Sequence, residues 1–270
     1  MLKQRILTAL VLAPLVLAGV FLLPLQYFQW FVALVVLLGA WEWANLSDYS
    51  SPVQRWGYAL VITAFLPVVV ILSVSSQLLL VLAVVFWLLV VYWVKSYPST
   101  SGQWGGRVSR ALMGVLVLIP TWQGLVLLKS MAPSGGLILL LMLLVWGADI
   151  GAYFAGRAWG RVKLAPAVSP GKTMAGFYGG LASSLIIALL AAVYLGLSGT
   201  NLLLLMGLCL VTALASVLGD LLESMVKRHR GIKDSSQLLP GHGGIMDRID
   251  SLTAATPVFA LGTSLLGLGL

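Results

Sequence analysis

Residues 202–250 read LLLLMGLCLVTALASVLGDLLESMVKRHRGIKDSSQLLPGHGGIMDRID. The first part of this stretch is an apolar run long enough to cross a bilayer as a helix, which takes about 20 residues. The second part is crowded with charge. Of the chain's eight carboxylates, five lie here: Asp220, Glu223, Asp234, Asp247 and Asp250. Five basic residues (Lys227, Arg228, Arg230, Lys233 and Arg248) and both histidines, His229 and His242, share the segment. A membrane helix running into so polar a segment implies an active site at the membrane edge, of a kind suited to phosphates.

Composition sets the surroundings of that site. The 270 residues are 60% hydrophobic and only 9% charged, with a mean hydropathy of +1.03. A soluble domain carries about 25% charged residues to cover its surface, so most of this exterior faces lipid. The net charge of +8 is spread through short inter-helix loops, a pattern of membrane topology and anionic head groups rather than of nucleic acid binding. Cys209 is the only cysteine, which excludes a disulfide within one chain.

Working outward from 202–225, about nine segments have the length and continuous apolarity of transmembrane helices, with cores at 6–23, 28–44, 56–74, 78–94, 111–128, 136–154, 175–197, 202–225 and 252–270. Unbroken apolar runs exclude a barrel, whose strands would alternate. The chain opens with basic residues before an apolar run, as a secretory signal does. Yet 6–23 is about a span long, and the residues after it are Pro24, Leu25 and Gln26 rather than a small-residue cleavage site. It reads as a retained first helix.

With the N-terminus in the cytoplasm and nine alternating spans, fifteen Lys/Arg residues fall on one side and Lys129 alone on the other. The positive-inside rule then puts the C-terminus outside. The loop around 96–110 carries Pro98, Gly102, Gly105 and Gly106 and reads as a flexible connector. It divides the chain into helices 1–4 (residues 1–95) and a catalytic part with helices 5–9 (residues 111–270). Glu42 and Asp48, the only acids of the first part, read as solvated or head-group-facing.

Four constellations in the second part carry chemistry. Asp149 lies inside the sixth span, where a carboxylate costs several kcal/mol unless paired, hydrated or bound to a cation. Pairing with Lys or Arg for packing alone is the plainer alternative. The segment 160–180 contains Ser169-Pro170-Gly171-Lys172-Thr173. It is no P-loop, because Pro166 stands where the first glycine must be and no strand is expected before it. A lysine and a threonine at a helix start still make an anion site.

On the eighth span Asp220, Glu223, Ser224 and Lys227 fall at i, i+3, i+4 and i+7, on one face. Two carboxylates there suit a hard cation such as Mg²⁺, though a salt bridge to Lys227 would explain the same stripe. Around His242, Pro240 and glycines 241, 243 and 244 let backbone approach a ligand closely. Asp247 and Asp250 follow at i, i+3, where a ninth helix would begin and where acids also act as caps. No second pair of ligands accompanies the histidines, which argues against zinc.

The run from Ser224 to Asp250, SMVKRHRGIKDSSQLLPGHGGIMDRID, resembles the signature of the phosphatidate cytidylyltransferases. The DIGAYFAGR segment at Asp149 and SPGKT at Ser169 are similar to the same family, so the resemblance covers the whole second part. Ala175 departs from it, since many members have an acid or amide there. The resemblance implies attack of a phosphatidate oxygen on the α-phosphorus of CTP, giving CDP-diacylglycerol and pyrophosphate.

On that basis Asp220 and Asp247 are expected to hold Mg²⁺, supported by Asp149 or Asp250, with room for a second cation. Lys172, Lys227, Arg228, Lys233 and Arg248 would neutralise phosphates. Ser169, Thr173 and Ser224 would contact substrate, and His242, Gly243 and Gly244 would shape the nucleotide pocket. The resemblance further implies a bacterial inner-membrane enzyme with its site on the cytoplasmic side. Gly147/Gly151 and Gly176/Gly180 could pack helices within one chain or between chains, the latter giving a homodimer. A CTP-dependent lipid kinase and an ion-coupled transporter are the other classes compatible with these residues. The kinase would release CDP, and the transporter would favour polar residues at the bilayer midplane.

Overall fold

The computed structural model describes residues 2–131 and 134–267. In chain order its elements are α1 (Leu2–Leu22), α2 (Leu25–Leu46), α3 (Pro52–Ile71), α4 (Ser76–Ser96), α5 (Ser101–Trp104) and α6 (Arg107–Ser130). There follow α7 (Ser134–Trp159), β1 (Lys163–Ala165), β2 (Ser169–Thr173), α8 (Met174–Tyr194), α9 (Gly199–Arg230) and α10 (Met246–Leu266). The all-α membrane class holds, because a chain in lipid must satisfy its backbone hydrogen bonds within each spanning segment. Among the described residues, eight helices are long and apolar enough to cross a bilayer. The expected ninth corresponds to α1, whose described apolar part, Leu7–Leu22, is shorter.

Helices outlast the apolar runs that announce them. The backbone ladder of α9 continues through the charged residues to Arg230 and stops at Gly231, which takes a left-handed φ of 75°. At 32 residues this helix is roughly 48 Å long at 1.5 Å per residue, more than a bilayer core needs. Its last turn carries Lys227, Arg228, His229 and Arg230, cations that complement the negative end of the helix dipole. The third helix instead ends early, at Ile71 rather than 74, where Ser73 adopts a positive φ of 50° and Ser75 caps α4.

Helices α6, α10 and α2 form the interior. At least half of each apolar window is enclosed by protein, against 22% for α3 and 28% for α4 and α8. Exposed Leu60 and Phe65 on α3, Leu88 on α4 and Leu190 and Val193 on α8 give the molecule its lipid-facing surface. The α7–α8 pair is held by small residues. A Cβ on Gly180 would lie 2.9 Å from the Ala148 carbonyl oxygen, and one on Gly176 2.9 Å from that of Ala152. Ser183 Oγ donates to the Gly147 carbonyl at 2.6 Å across the same seam. These glycine faces join two helices of one chain.

Two expectations for the loops change. The connector contains α5, and Trp104 is fully buried with the His229 ring 5.0 Å from its own. Its glycines allow tight turns, but the indole anchors it on the end of α9. A strand also precedes α8: β1 and β2 form a two-stranded antiparallel hairpin. Three- and five-residue strands are too short to leave a periodic signal.

Candidate active site

The charged end of α9, the hairpin, the start of α10 and the cavity-facing side of α7 meet around two adjoining cavities. One, of about 430 Å³, is a mainly apolar groove between α7, β2 and α8, with Ala148, Ala152, Gly156, Gly176 and Phe177 in its walls. The other, of about 380 Å³, is a polar basin between α9, the loop 231–245 and the first turns of α10. Asp149 and Asp220 line both and form the boundary between them.

The α9 stripe lies on one face as its spacing requires. Ser224 Oγ donates to Asp220 Oδ1 at 3.1 Å. Asp220 Oδ2 lies 2.5 Å from Lys172 Nζ, which β2 delivers from across the groove. Lys227 is 13% exposed and bridges two helices, with Nζ 2.8 Å from Glu223 Oε2 and 2.6 Å from Asp247 Oδ1. A half-buried ammonium between two carboxylates is the compensated arrangement that low-dielectric surroundings demand. Glu223 is itself buried.

Asp247 uses both oxygens. Oδ1 takes Lys227, while Oδ2 accepts from Ser235 N (3.0 Å), Ser235 Oγ (2.9 Å) and Gly244 N (2.7 Å). It thereby pins the glycine-rich loop to the start of α10. Gly243 is left-handed at φ 82°, and a Cβ there would lie 2.7 Å from Asp247 Oδ2. Asp250 Oδ1 accepts from Ser251 N at 2.7 Å.

The remaining expected residues divide. Arg228, Lys233 and Arg248 line the basin beside Asp234, Asp247 and Asp250, and all three basic side chains are exposed. Thr173 lines the groove and caps α8, its Oγ1 accepting from Gly176 N at 3.1 Å. That bond occupies one of the helix's free N–H groups. Ser169, His242, Gly243 and Gly244 line neither cavity. The Nδ1 of His242 is buried without a hydrogen-bond partner among the described residues.

Glu42 is the residue the sequence reading misjudged. It is fully buried on α2 and accepts from Ser236 Oγ (2.5 Å) and Ile245 N (2.9 Å) at Oε1 and from Met246 N (2.6 Å) at Oε2, while Ser235 Oγ, 3.1 Å from Oε2, shares its single proton between Glu42 and Asp247. Donors from a loop some 200 residues away replace the water expected around it. Asp48 is nearer to expectation: it is 45% exposed and pairs with Arg230 (3.3 Å) and Arg107 (3.7 Å). The one signal available for Glu42 was the scarcity of carboxylates in the first hundred residues.

Among the described residues, no three of His, Cys, Asp and Glu converge into a ready-made metal cage. Mg²⁺ does not require one, since it is commonly held by one or two carboxylates, waters and substrate phosphates. Asp149, Asp220 and Asp250 present such hard oxygen donors to a single basin, and Asp149 forms no salt bridge among the described residues. For Asp247 to join them, Lys227 would have to give up its contact with Oδ1.

Residues 3–266 match the model of the Cytidylyltransferase family. The chain is 55% identical over 261 residues to the phosphatidate cytidylyltransferase of Pseudomonas aeruginosa, covering 96% of each protein. It is 41% identical to that of Haemophilus influenzae, covering 96% of this chain and 98% of the relative. With the Staphylococcus aureus enzyme the identity is 49% over 121 residues, 45% of this chain.

Proposed function

We propose, for a chain that belongs to the Cytidylyltransferase family, that it joins CTP and phosphatidate to give CDP-diacylglycerol and pyrophosphate. The observation that carries this reading is the pair of cavities, one apolar and one strongly charged, meeting at Asp149 and Asp220. A lipid phosphate and a nucleoside triphosphate need such a boundary between an acyl-compatible groove and a polar basin. We assign the groove to phosphatidate and the basin to CTP.

In the reaction an oxygen of the phosphatidate phosphate forms a bond to the α-phosphorus of CTP. The bond from that phosphorus to the α,β-bridging oxygen breaks, and pyrophosphate leaves. Phosphatidate is already ionised, so alignment and charge neutralisation matter more than a base. Lys172, at the boundary, suits the incoming lipid phosphate, while Arg228, Lys233 and Arg248 suit the triphosphate and the departing pyrophosphate. Lys227 and Asp247 act by holding α9, α10 and the loop in register. Asp220, supported by Asp149 or Asp250, would hold Mg²⁺ together with waters and substrate phosphates, and Asp247 would join once Lys227 moves; a second cation would share the basin. The ion would supply charge neutralisation at the transferring phosphate.

The Lys/Arg asymmetry supports a site on the cytoplasmic side, and the bacterial relatives support a bacterial inner membrane. A homodimer would have to use a surface other than the glycine seam of α7 and α8. The test is a detergent-reconstituted assay with phosphatidate and CTP labelled at the α-phosphate. Label should enter lipid with Mg²⁺, stop on chelation and resume when Mg²⁺ is restored. Folded protein that leaves lipid unlabelled would overturn the reading.

A further inference from the structure

We infer that Glu42, on the second helix, is a positioning residue of the active site: it latches the loop 231–245 so that Lys233 and Asp234 face the polar basin. This inference rests on the assignment of the basin to CTP. Four groups converge on one fully buried carboxylate: Ser236 Oγ, Ile245 N and Met246 N donate to it, and Ser235 Oγ shares its single proton between it and Asp247. Two are the backbone N–H groups at the start of α10, where free donors need a partner. The other two belong to the serines directly after Lys233 and Asp234, both of which line the basin.

The fit leaves no slack. A Cβ on Gly244 would stand 2.0 Å from Ser235 Oγ and 2.5 Å from Glu42 Oε1. Glycine at 244 is therefore what admits the carboxylate. Asn45, one turn on, adds Nδ2 to the Ser235 carbonyl at 3.3 Å, and Asp247 holds Ser235 and Gly244 from the opposite side. Helix α2 thus completes a site otherwise built from the second part of the chain.

Glu42→Gln isolates the carboxylate. Whichever way the amide turns, its NH₂ faces a backbone N–H, of Ile245 or of Met246, and neither can rotate to accept. The groove contains no residue of the loop, so the effect should fall on one substrate. Misplaced phosphate-binding groups commonly cost about 10²-fold. We expect kcat/KM for CTP to fall about 10- to 100-fold through a raised KM, with the KM for phosphatidate unchanged and partial recovery in Glu42→Asp. Hydrogen exchange should quicken at Ile245 and Met246 and stay as in the wild type in α7 and α8.

Wild-type kinetics and exchange in folded Glu42→Gln would overturn the latch. So would an equal loss for both substrates without faster loop exchange, which marks a purely structural residue. Quickened exchange with a KM rise confined to phosphatidate would keep the latch and overturn the assignment of the cavities. If the wild type makes no CDP-diacylglycerol, the exchange experiment alone decides the latch. Should Glu42→Gln fail to fold, Ser236→Ala replaces it: a several-fold rise in CTP KM supports the latch, and unchanged kinetics and exchange overturn it.

Discussion

At the scale of the residue, Asp220 joins three parts of the site. It accepts from Ser224 on its own helix, pairs with Lys172 from the hairpin and lines both cavities. Its side chain is 27% exposed, so the carboxylate is open to a substrate or an ion while held in place. Asp220→Asn keeps the shape and removes the charge that orients Lys172. CDP-diacylglycerol formation should drop by at least about 10²-fold, the scale of losing one electrostatic group at a reacting phosphate, with helical content unchanged by circular dichroism. Near-normal turnover would take Asp220 out of the reaction. The i, i+3, i+4, i+7 stripe around it was legible because helical spacing alone creates it. Lys172 as its partner was not, because the distance from residue 172 to residue 220 is bridged by packing.

At the scale of the element, the spacing between α7 and α8 sets the width of the groove. Gly156, Gly176 and Gly180 line it, and Gly180 leaves no room for a Cβ against the Ala148 carbonyl. Gly180→Val should push the helices apart. Overpacking of this kind costs about 1–3 kcal/mol, read as a lower melting temperature in detergent. The KM for phosphatidate should rise with little change for CTP. An unaltered melting temperature and KM would show that the seam can yield without consequence. These glycines stood out in the sequence at small-xxx-small spacing, but that pattern serves contacts within a chain and between chains equally.

At the scale of the whole molecule, one front helix, α2, reaches the loop beside the polar basin. Helix α2 provides the Glu42 latch, and its end is tied to α6 by Trp43 Nε1 donating to the Arg110 carbonyl at 2.7 Å and by Arg110 Nη1 donating to that of Leu46 at 2.5 Å. The topology proposed from basic residues is testable with cysteines at exposed positions, in a Cys209→Ala background. A membrane-impermeant thiol reagent should label Ser130→Cys in intact spheroplasts and Gln103→Cys only after lysis. The reverse pattern would invert the assignment.

The sequence by itself determined the membrane environment, the helical class, the approximate places of the spans and the polar stripe of α9. All of these follow from properties repeated along the chain at fixed intervals. Helix packing decided the rest: the burial of Glu42, the pairing of Lys172 with Asp220, the reach of Lys227 to Asp247 and the meeting of groove and basin. Those contacts join side chains tens to hundreds of residues apart. Their partners depend on which helix faces lie together in three dimensions, and local spacing carries no record of that.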